Sequence, residues 1–293
     1  MVRSDRFQSQ ITHTQNFERA LIENGIPPRP QILSALAEEL AHENPSLRAL
    51  EMLLSGDVAI AAGLLKTVNS PFYGLRKKIG NVREAMAILG LQATAQIVAG
   101  VALRQVFANY ELERFWDSSE KIASISSLLA MENRTWGVTS ADAYTFGLFR
   151  DCGIAVLLQR MPAYVRVLRQ ANNESVRNFT DVEKDFIPVS HANVGGLLAE
   201  TWLLPDAIVE AITRHHDPRA LIADPSGTDR RVGNLVAITM LAEVLYQRQS
   251  KLANGQEWQK LGDSVMRWFS LGADDMEHLQ KQLQIATDTA DCL

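Results

Sequence analysis

The chain has 293 residues, 46% of them hydrophobic and 22% charged, with a formal net charge of −5. That balance is the one of a soluble globular protein with enough chain for one large or two ordinary domains, and its acidity gives no electrostatic footprint for nucleic acid or an anionic membrane, so neither is expected as the main partner. Cys152 and Cys292 are too few for a disulfide framework or a cysteine-type zinc motif and fit a reducing, cytoplasmic setting. The amino terminus lacks a signal-like apolar segment, and no apolar run approaches the ~18 residues of a membrane span.

Residues 1–16 are polar and read as a loose arm, followed by a helix over Phe17 to Asn24 that Gly25 and Pro27-Pro28 stop. Gln31 to His42 and Leu47 to Leu54 read as helices separated by Asn44-Pro45-Ser46. Asp57 is a good N-cap for an amphipathic helix with Val58, Ala61, Ala62, Leu65 and Val68 on one face, which the loop Asn69 to Gly74 must break. Asn81 and Glu84 form a capping-box pair for a helix that ends at Gly90, and a second helix runs from Gln92 to Phe107. This helix, turn and helix, preceded by Arg76, Lys77 and Lys78, is set aside as a DNA-binding unit because the second helix carries a single cation, Arg104, before its end.

Glu111 to Trp136 is helical again, and Thr139 or Ser140 can cap the stretch Ala141 to Gln159. As one helix, this stretch has Tyr144, Leu148, Asp151, Ala155 and Leu158 on one stripe and Phe146, Gly147, Arg150, Ile154 and Leu157 on the next. A helix apolar on both stripes belongs in a core, so Arg150 and Asp151 are carried into low dielectric, either as a structural ion pair or as part of a site. Further on, Thr180 and Glu183 match a capping box, Pro188-Val189-Ser190 leads into a helix over His191 to Trp202, and another spans Asp206 to His216. A long helix over Arg231 to Arg248 and two closing helices complete an all-α chain of about a dozen helices, without internal repeats.

Three residues point to chemistry. His191 heads the apolar face of Val194, Gly195, Leu198 and Trp202, His215 follows Ile208, Ala211 and Ile212, and His216 is rotated beside Val209 and Thr213. Each alone reads as a hydrogen-bonded core histidine or as a ligand; the two inward ones, His191 and His215, together with Asp151 on a third helix make a set that binds a divalent metal in a helical bundle, Glu243 being a possible fourth member or a surface glutamate.

In order along the chain, Arg150-Asp151-Cys152-Gly153, His191-Ala192-Asn193-Val194-Gly195 and His215-His216-Asp217-Pro218 resemble the motifs of the HD phosphohydrolase superfamily. More narrowly, Ile26-Pro27-Pro28-Arg29-Pro30, the run Leu64 to Gly74, and Ala85-Met86-Ala87-Ile88-Leu89-Gly90-Leu91 resemble the HDOD domain, the HD-related output domain of bacterial signalling proteins. The resemblance covers about residues 17 to 245. It implies two closely packed helical subdomains, 17–112 and an HD-like 113–250, with 251–293 as C-terminal helices.

The departures shape the functional expectation. An active HD site uses an earlier histidine, an adjacent His-Asp pair, further histidines and a late aspartate to hold metal; here those positions fall on Ser118, Arg150 with Asp151, His191, His215 with His216, and Glu243. Arginine stays protonated and cannot ligate a cation, so it is expected to replace the metal electrostatically by pairing with Asp151 or Glu243. No cofactor and no bound metal are therefore expected, and were a metal present, Asp151, His191 and His215 would hold it. The resulting expectation is a non-catalytic signalling module acting through a protein partner in trans or a small phosphorylated ligand. Two alternatives are a metal-dependent phosphohydrolase or phosphodiesterase, and a nucleotide or phosphate sensor without turnover. The loop with Phe72, Tyr73, Arg76, Lys77 and Lys78 is the candidate interaction surface, although its aromatics read more readily as anchors of the turn to the core.

Overall fold

The computed structural model describes residues 25–70, 73–75, 77–108, 112–222, 230–252 and 255–291. The expected arm and the helix over Phe17 to Asn24 lie outside them, as do Phe72, Arg76 and Cys292. Among the described residues the chain is all-α, with fourteen α-helices, two 3-10 turns and no strand.

The first half is a stack of locally specified helices. α1 (Gln31–Leu40) and α2 (Leu47–Ser55) bury Leu33, Leu36, Leu50 and Leu54. Asp57 caps α3 (Val58–Val68) as its sequence predicts, accepting from the backbone N–H of Ala59 and Ile60 at 2.9 and 3.0 Å. Asn69 then clamps the following loop. Its amide donates to the carbonyls of Leu65 and Ile79 and accepts from Ile79 N–H at 2.7 Å. In that loop Tyr73 is half-buried, as an anchor would be, whereas Lys77 and Lys78 are exposed.

α4 (Val82–Val106) starts at the Asn81 cap and is broken at Gly90, whose φ of 78° and ψ of 165° suit only glycine. This helix is, contrary to expectation, long and apolar enough to cross a membrane, but half of the qualifying window is buried within the protein. α5 (Glu113–Glu132) lies along α6 (Ser140–Phe149) and α12 (Arg230–Gln249), while the second half of α4 also meets α6.

The expected single helix over Ala141 to Gln159 is two helices. α6 stops at Phe149, and α7 (Cys152–Arg160) begins after Asp151, which sits at φ −102° and ψ 10° in the bridge region between them. α8 (Tyr164–Asn173), α9 (Phe179–Glu183), α10 (His191–Thr201) and α11 (Asp206–Arg214) follow, then α12, α13 (Gln256–Phe269) and α14 (Ala273–Asp291). α10 packs on both α7 and α11. One contiguous apolar core runs from Leu33 to Leu283, and the closing helices join it through Trp136 stacked on Phe269 at 4.1 Å and the Trp268 indole donating to Asn234 at 2.7 Å.

Candidate functional site

The break between α6 and α7 places Arg150 and Asp151 at a crossing of helices. α7 lies so close to α10 that a Cβ on Gly153 would fall 2.0 Å from the His191 carbonyl oxygen and 2.6 Å from the Gly195 nitrogen. That approach brings Asp151, two residues earlier, against the N-terminus of α10, where His191 is the first residue after the Ser190 cap. His215 and His216 come from the C-terminal end of α11, and Asp217 turns the chain away by capping the next 3-10 turn.

Three donor atoms converge. Asp151 Oδ1 lies 3.5 Å from His191 Nε2 and 3.4 Å from His215 Nε2, and the two Nε2 atoms are 3.3 Å apart. Donor atoms of Asp151, His191, His215 and His216 all lie within 4.8 Å of one another. Every ring is fixed from behind. His191 Nδ1 meets Glu183 at 2.9 Å, His215 Nδ1 meets the Ile212 carbonyl at 2.7 Å, and His216 Nδ1 meets Glu257 at 2.8 Å. With each Nδ1 engaged outward, Nε2 of each ring is the nitrogen turned towards the cluster, able to donate to Asp151 when protonated and to ligate a cation when not, which is how ligand histidines are commonly oriented.

Electrostatics reinforce the arrangement. Burial alone would raise the Asp151 carboxyl, but the Arg150 guanidinium and the hydrogen bonds from His191 and His215 hold it well below the usual carboxylate range. Burial likewise opposes charge on His191, yet the Glu183 carboxylate and the Asp151 contact outweigh it and leave the imidazole raised to about 9. A proton on His191 and a divalent cation are thus alternative occupants of one electrostatic well. Burial pushes His216 down to about 4, helped by its histidine neighbours, so this ring is neutral at pH 7. Glu257, despite burial, is lowered to about 2 by His216 and Lys260.

Arg150 does not stand where a cation would. Its Nε donates to Asp151 Oδ2 at 3.0 Å and its Nη1 to Glu243 Oε2 at 2.9 Å, so it occupies the outer edge of the carboxylate and leaves Oδ1 to the histidines. The donor set itself fits a metal. Metal-to-nitrogen distances of about 2.0–2.1 Å in a tetrahedral site imply ligand spacings of about 3.3–3.4 Å, matching the 3.3 to 3.5 Å found among Asp151, His191 and His215. A metal held there would supply a Lewis acid and an acidified water. The expectation of a pocket without metal or cofactor is therefore corrected. The guanidinium binds the far oxygen of Asp151 rather than filling the space between the imidazoles.

Beside the cluster opens a cleft of about 120 Å³, walled by Phe146, Ile154, Asn172, Met240 and Glu243, among others. Arg150, Asp151, His215, His216 and Glu257 also line it. Phe179 closes one side, stacked on His216 at 4.9 Å and edge-on to His191 at 5.1 Å. Ser118 is half-buried on α5 and does not line this cleft. The α5 hydroxyl that reaches the wall is Ser126, 3.3 Å from Thr239. Tyr73, Lys77 and Lys78 do not line it either.

Sequence reasoning missed Glu183, Glu257 and Tyr164. Glu183 is not a capping residue: α9 is preceded by Asn178, which makes no side-chain cap, and Glu183 is fully buried. It accepts the Tyr164 hydroxyl, the His191 backbone N–H at 3.2 Å and the His191 ring. A signal was present, since Phe179, Glu183 and Ile187 recur every four residues and put the carboxylate on the apolar face.

Comparison with known proteins agrees with the architecture. The HDOD domain family matches residues 26–218. An uncharacterized protein of Treponema pallidum is 29% identical over 232 residues, covering 74% of this chain; the chain spans only 45% of that protein's length. The crystal structure of an HDOD domain protein of unknown function from Geobacter sulfurreducens shares the fold at 22% identity and TM-score 0.67, over 97% of this chain and 96% of that one. A Shewanella amazonensis structure, provisionally described as a metal-dependent phosphohydrolase, aligns at 18% identity and TM-score 0.63, over 95% of this chain and 99% of that one. With the family matched over most of its length and the fold shared end to end, this chain belongs to the HDOD domain family.

Proposed function

We propose that this chain is a signalling-type HDOD module built around a single divalent-metal centre that recognises a phosphorylated ligand without turning it over at enzymatic rates. The observation that carries the reading is the double engagement of Arg150. By taking Asp151 Oδ2 and Glu243 Oε2 together, it withdraws Glu243 and one face of Asp151 from coordination. What remains is a ligand set for one ion, Asp151, His191 and His215 with His216 beside them. The Arg150 Nη2, taken by neither carboxylate, leaves the guanidinium one edge from which to donate to a phosphate beside that ion, in a cleft with room for a phosphoryl group and a few waters. Output would pass through a protein partner that reads the occupied state.

A second reading is a metal-dependent phosphohydrolase or phosphodiesterase. It is favoured by the closely spaced ligand set, of which Asp151, His215 and His216 line an open cleft, as catalytic rather than structural metal sites require. Metal analysis of the purified chain, followed by assays on p-nitrophenyl phosphate and bis(p-nitrophenyl) phosphate with added manganese, separates the two. Stoichiometric metal, no turnover above background, and a melting shift with inorganic phosphate that Arg150→Ala removes would support the module. Turnover abolished by Asp151→Ala would establish the hydrolase instead.

A further inference from the structure

The first turn of α13 reaches the metal cleft from the C-terminal part of the chain. We infer that this turn belongs to the metal centre, with Glu257 as a positioning residue for His216, so that metal binding and the docking of α13 reinforce each other. This coupling rests on the single-metal reading, and it makes α13 the element that carries the occupied state to the outside of the protein. Glu257 lines the cleft, and its Oε2 meets His216 Nδ1 at 2.8 Å. His216 is the fourth member of the donor group. A carboxylate behind a ligand imidazole fixes the ring and raises its basicity, as Glu183 does for His191.

Further contacts tie the same turn to the site. Glu243, bound to Arg150 through Oε2, accepts from Gln247 Nε2 at 3.3 Å, and Gln247 Oε1 accepts the backbone N–H of Gly255, the N-cap of α13, at 2.8 Å. Arg150 is thereby linked through two side chains of α12 to the start of α13. On the other side, the buried Lys260 donates to Glu257 Oε1 at 2.6 Å and to the Arg177 carbonyl at 2.8 Å. Arg177 stands two residues before Phe179, whose ring stacks on His216. The metal cleft also shares Phe179, Glu243 and Glu257 with an adjoining hollow of about 110 Å³, whose wall includes Gly255, Gln256 and Trp258.

The body of α13 is held less firmly than the helix beneath it. It buries three of its fourteen residues, Leu261, Gly262 and Val265, against thirteen of twenty in α12. An element with few buried apolar residues opens locally before the whole protein unfolds. When α13 opens, His216 loses Glu257, and the donor group loses the brace on that ring. Linkage makes the effect reciprocal: the factor by which docking of α13 raises metal affinity is the factor by which bound metal suppresses its opening. Loss of an outer partner of a metal ligand costs ~10–100-fold in affinity, which sets the size of that suppression.

The test is amide hydrogen exchange of the full chain, read peptide by peptide with and without saturating Zn2+, beside calorimetric Zn2+ titration. Zn2+ is expected to slow exchange over 256–269 by ~10–100-fold and to leave α1 and α2 unchanged. Glu257→Gln should lower Zn2+ affinity ~10-fold and shrink the slowing over 256–269 by the same factor. Trp268→Phe removes the bond from α13 to Asn234, neither residue lining the cleft. It should speed exchange over 256–269 alike with and without Zn2+ and keep their ratio; if it does not fold, the parent and Glu257→Gln decide. Zn2+ uptake that leaves 256–269 unchanged, or slows exchange equally throughout the chain, overturns the coupling. So does parental Zn2+ affinity in Glu257→Gln. A parent that takes up no Zn2+ defeats the single-metal reading, and the coupling with it.

Discussion

Replacing Glu183 by glutamine tests whether the histidines are oriented as ligands or merely packed. Glu183 is fully buried and receives three donors, the Tyr164 hydroxyl, the His191 backbone N–H and His191 Nδ1–H. Glutamine keeps the volume and one acceptor oxygen but removes the negative charge that fixes the His191 tautomer and raises its basicity. Loss of such a partner typically costs 10–100-fold in metal affinity, which is ~1.4–2.7 kcal/mol. The fold should survive, because an amide can still accept from His191 while its NH2 donates to Tyr164, at a cost of ~1.5–3 kcal/mol for the weakened charge-assisted bonds. Tyr164→Phe is the matched control. It deletes a donor to the same carboxylate without touching the His191 pairing, so stability should fall by ~1 kcal/mol with metal affinity within about threefold of the parent. Calorimetric titration with Mn2+ or Zn2+, with thermal melts of the metal-free chains, reads both quantities. Wild-type affinity in Glu183→Gln would refute the orienting role, and no metal uptake by the parent would reduce the cluster to a hydrogen-bond network.

Other perturbations separate the physical causes at work elsewhere. Gly153→Ala would drive a methyl into the backbone of α10, 2.0 Å from the His191 oxygen, and should destabilise the chain by ~3 kcal/mol or more in denaturant titration. Gly90→Ala meets nothing within 4 Å and should cost ~1–3 kcal/mol from backbone strain alone, with metal binding unchanged. Asp57→Ala removes the acceptor for Ala59 and Ile60 N–H and should lower stability by ~1 kcal/mol, seen as a reduced melting temperature. Arg150→Met leaves two carboxylates facing each other without their cation. A loss of ~3 kcal/mol is expected, at the lower end for a broken buried pair because Glu243 is 33% exposed, and saturating metal should recover part of it.

What could be read from the sequence divides by the range of the interactions that enforce it. The Asp57 cap, the Asn81 and Glu84 pair and the break at Gly90 depend on neighbours within a turn, and each stands where the residues place it. The inward faces of His191 and His215 follow from helical periodicity, which a core must respect. Periodicity fails where the chain is bent by contacts from afar. Nothing within Ala141 to Gln159 announces an interruption, because it is set by the approach of α7 to α10 through Gly153 and by the partners that Asp151 finds there. Glu183 and Glu257 escape for a related reason. The four-residue period with Phe179 and Ile187 marks Glu183 only as inward-facing and nothing local marks Glu257, so tertiary packing alone sets each behind its histidine, eight or forty-one residues away.

Arg150 shows how far a charge argument reaches. A buried arginine beside a buried aspartate demands pairing, and pairing is what the structure contains, with Glu243 joining from α12. The further step, from pairing to exclusion of a metal, treats the carboxylate as a point charge. Asp151 has two oxygens on opposite sides, and α6 delivers the guanidinium to Oδ2 while α10 and α11 deliver imidazoles to Oδ1. Ion pair and metal donor, alternatives when only residue types are known, are compatible once those oxygens are distinguished. The same pairing that holds Asp151 ionised in a buried setting keeps its other oxygen unprotonated and so available to the cluster.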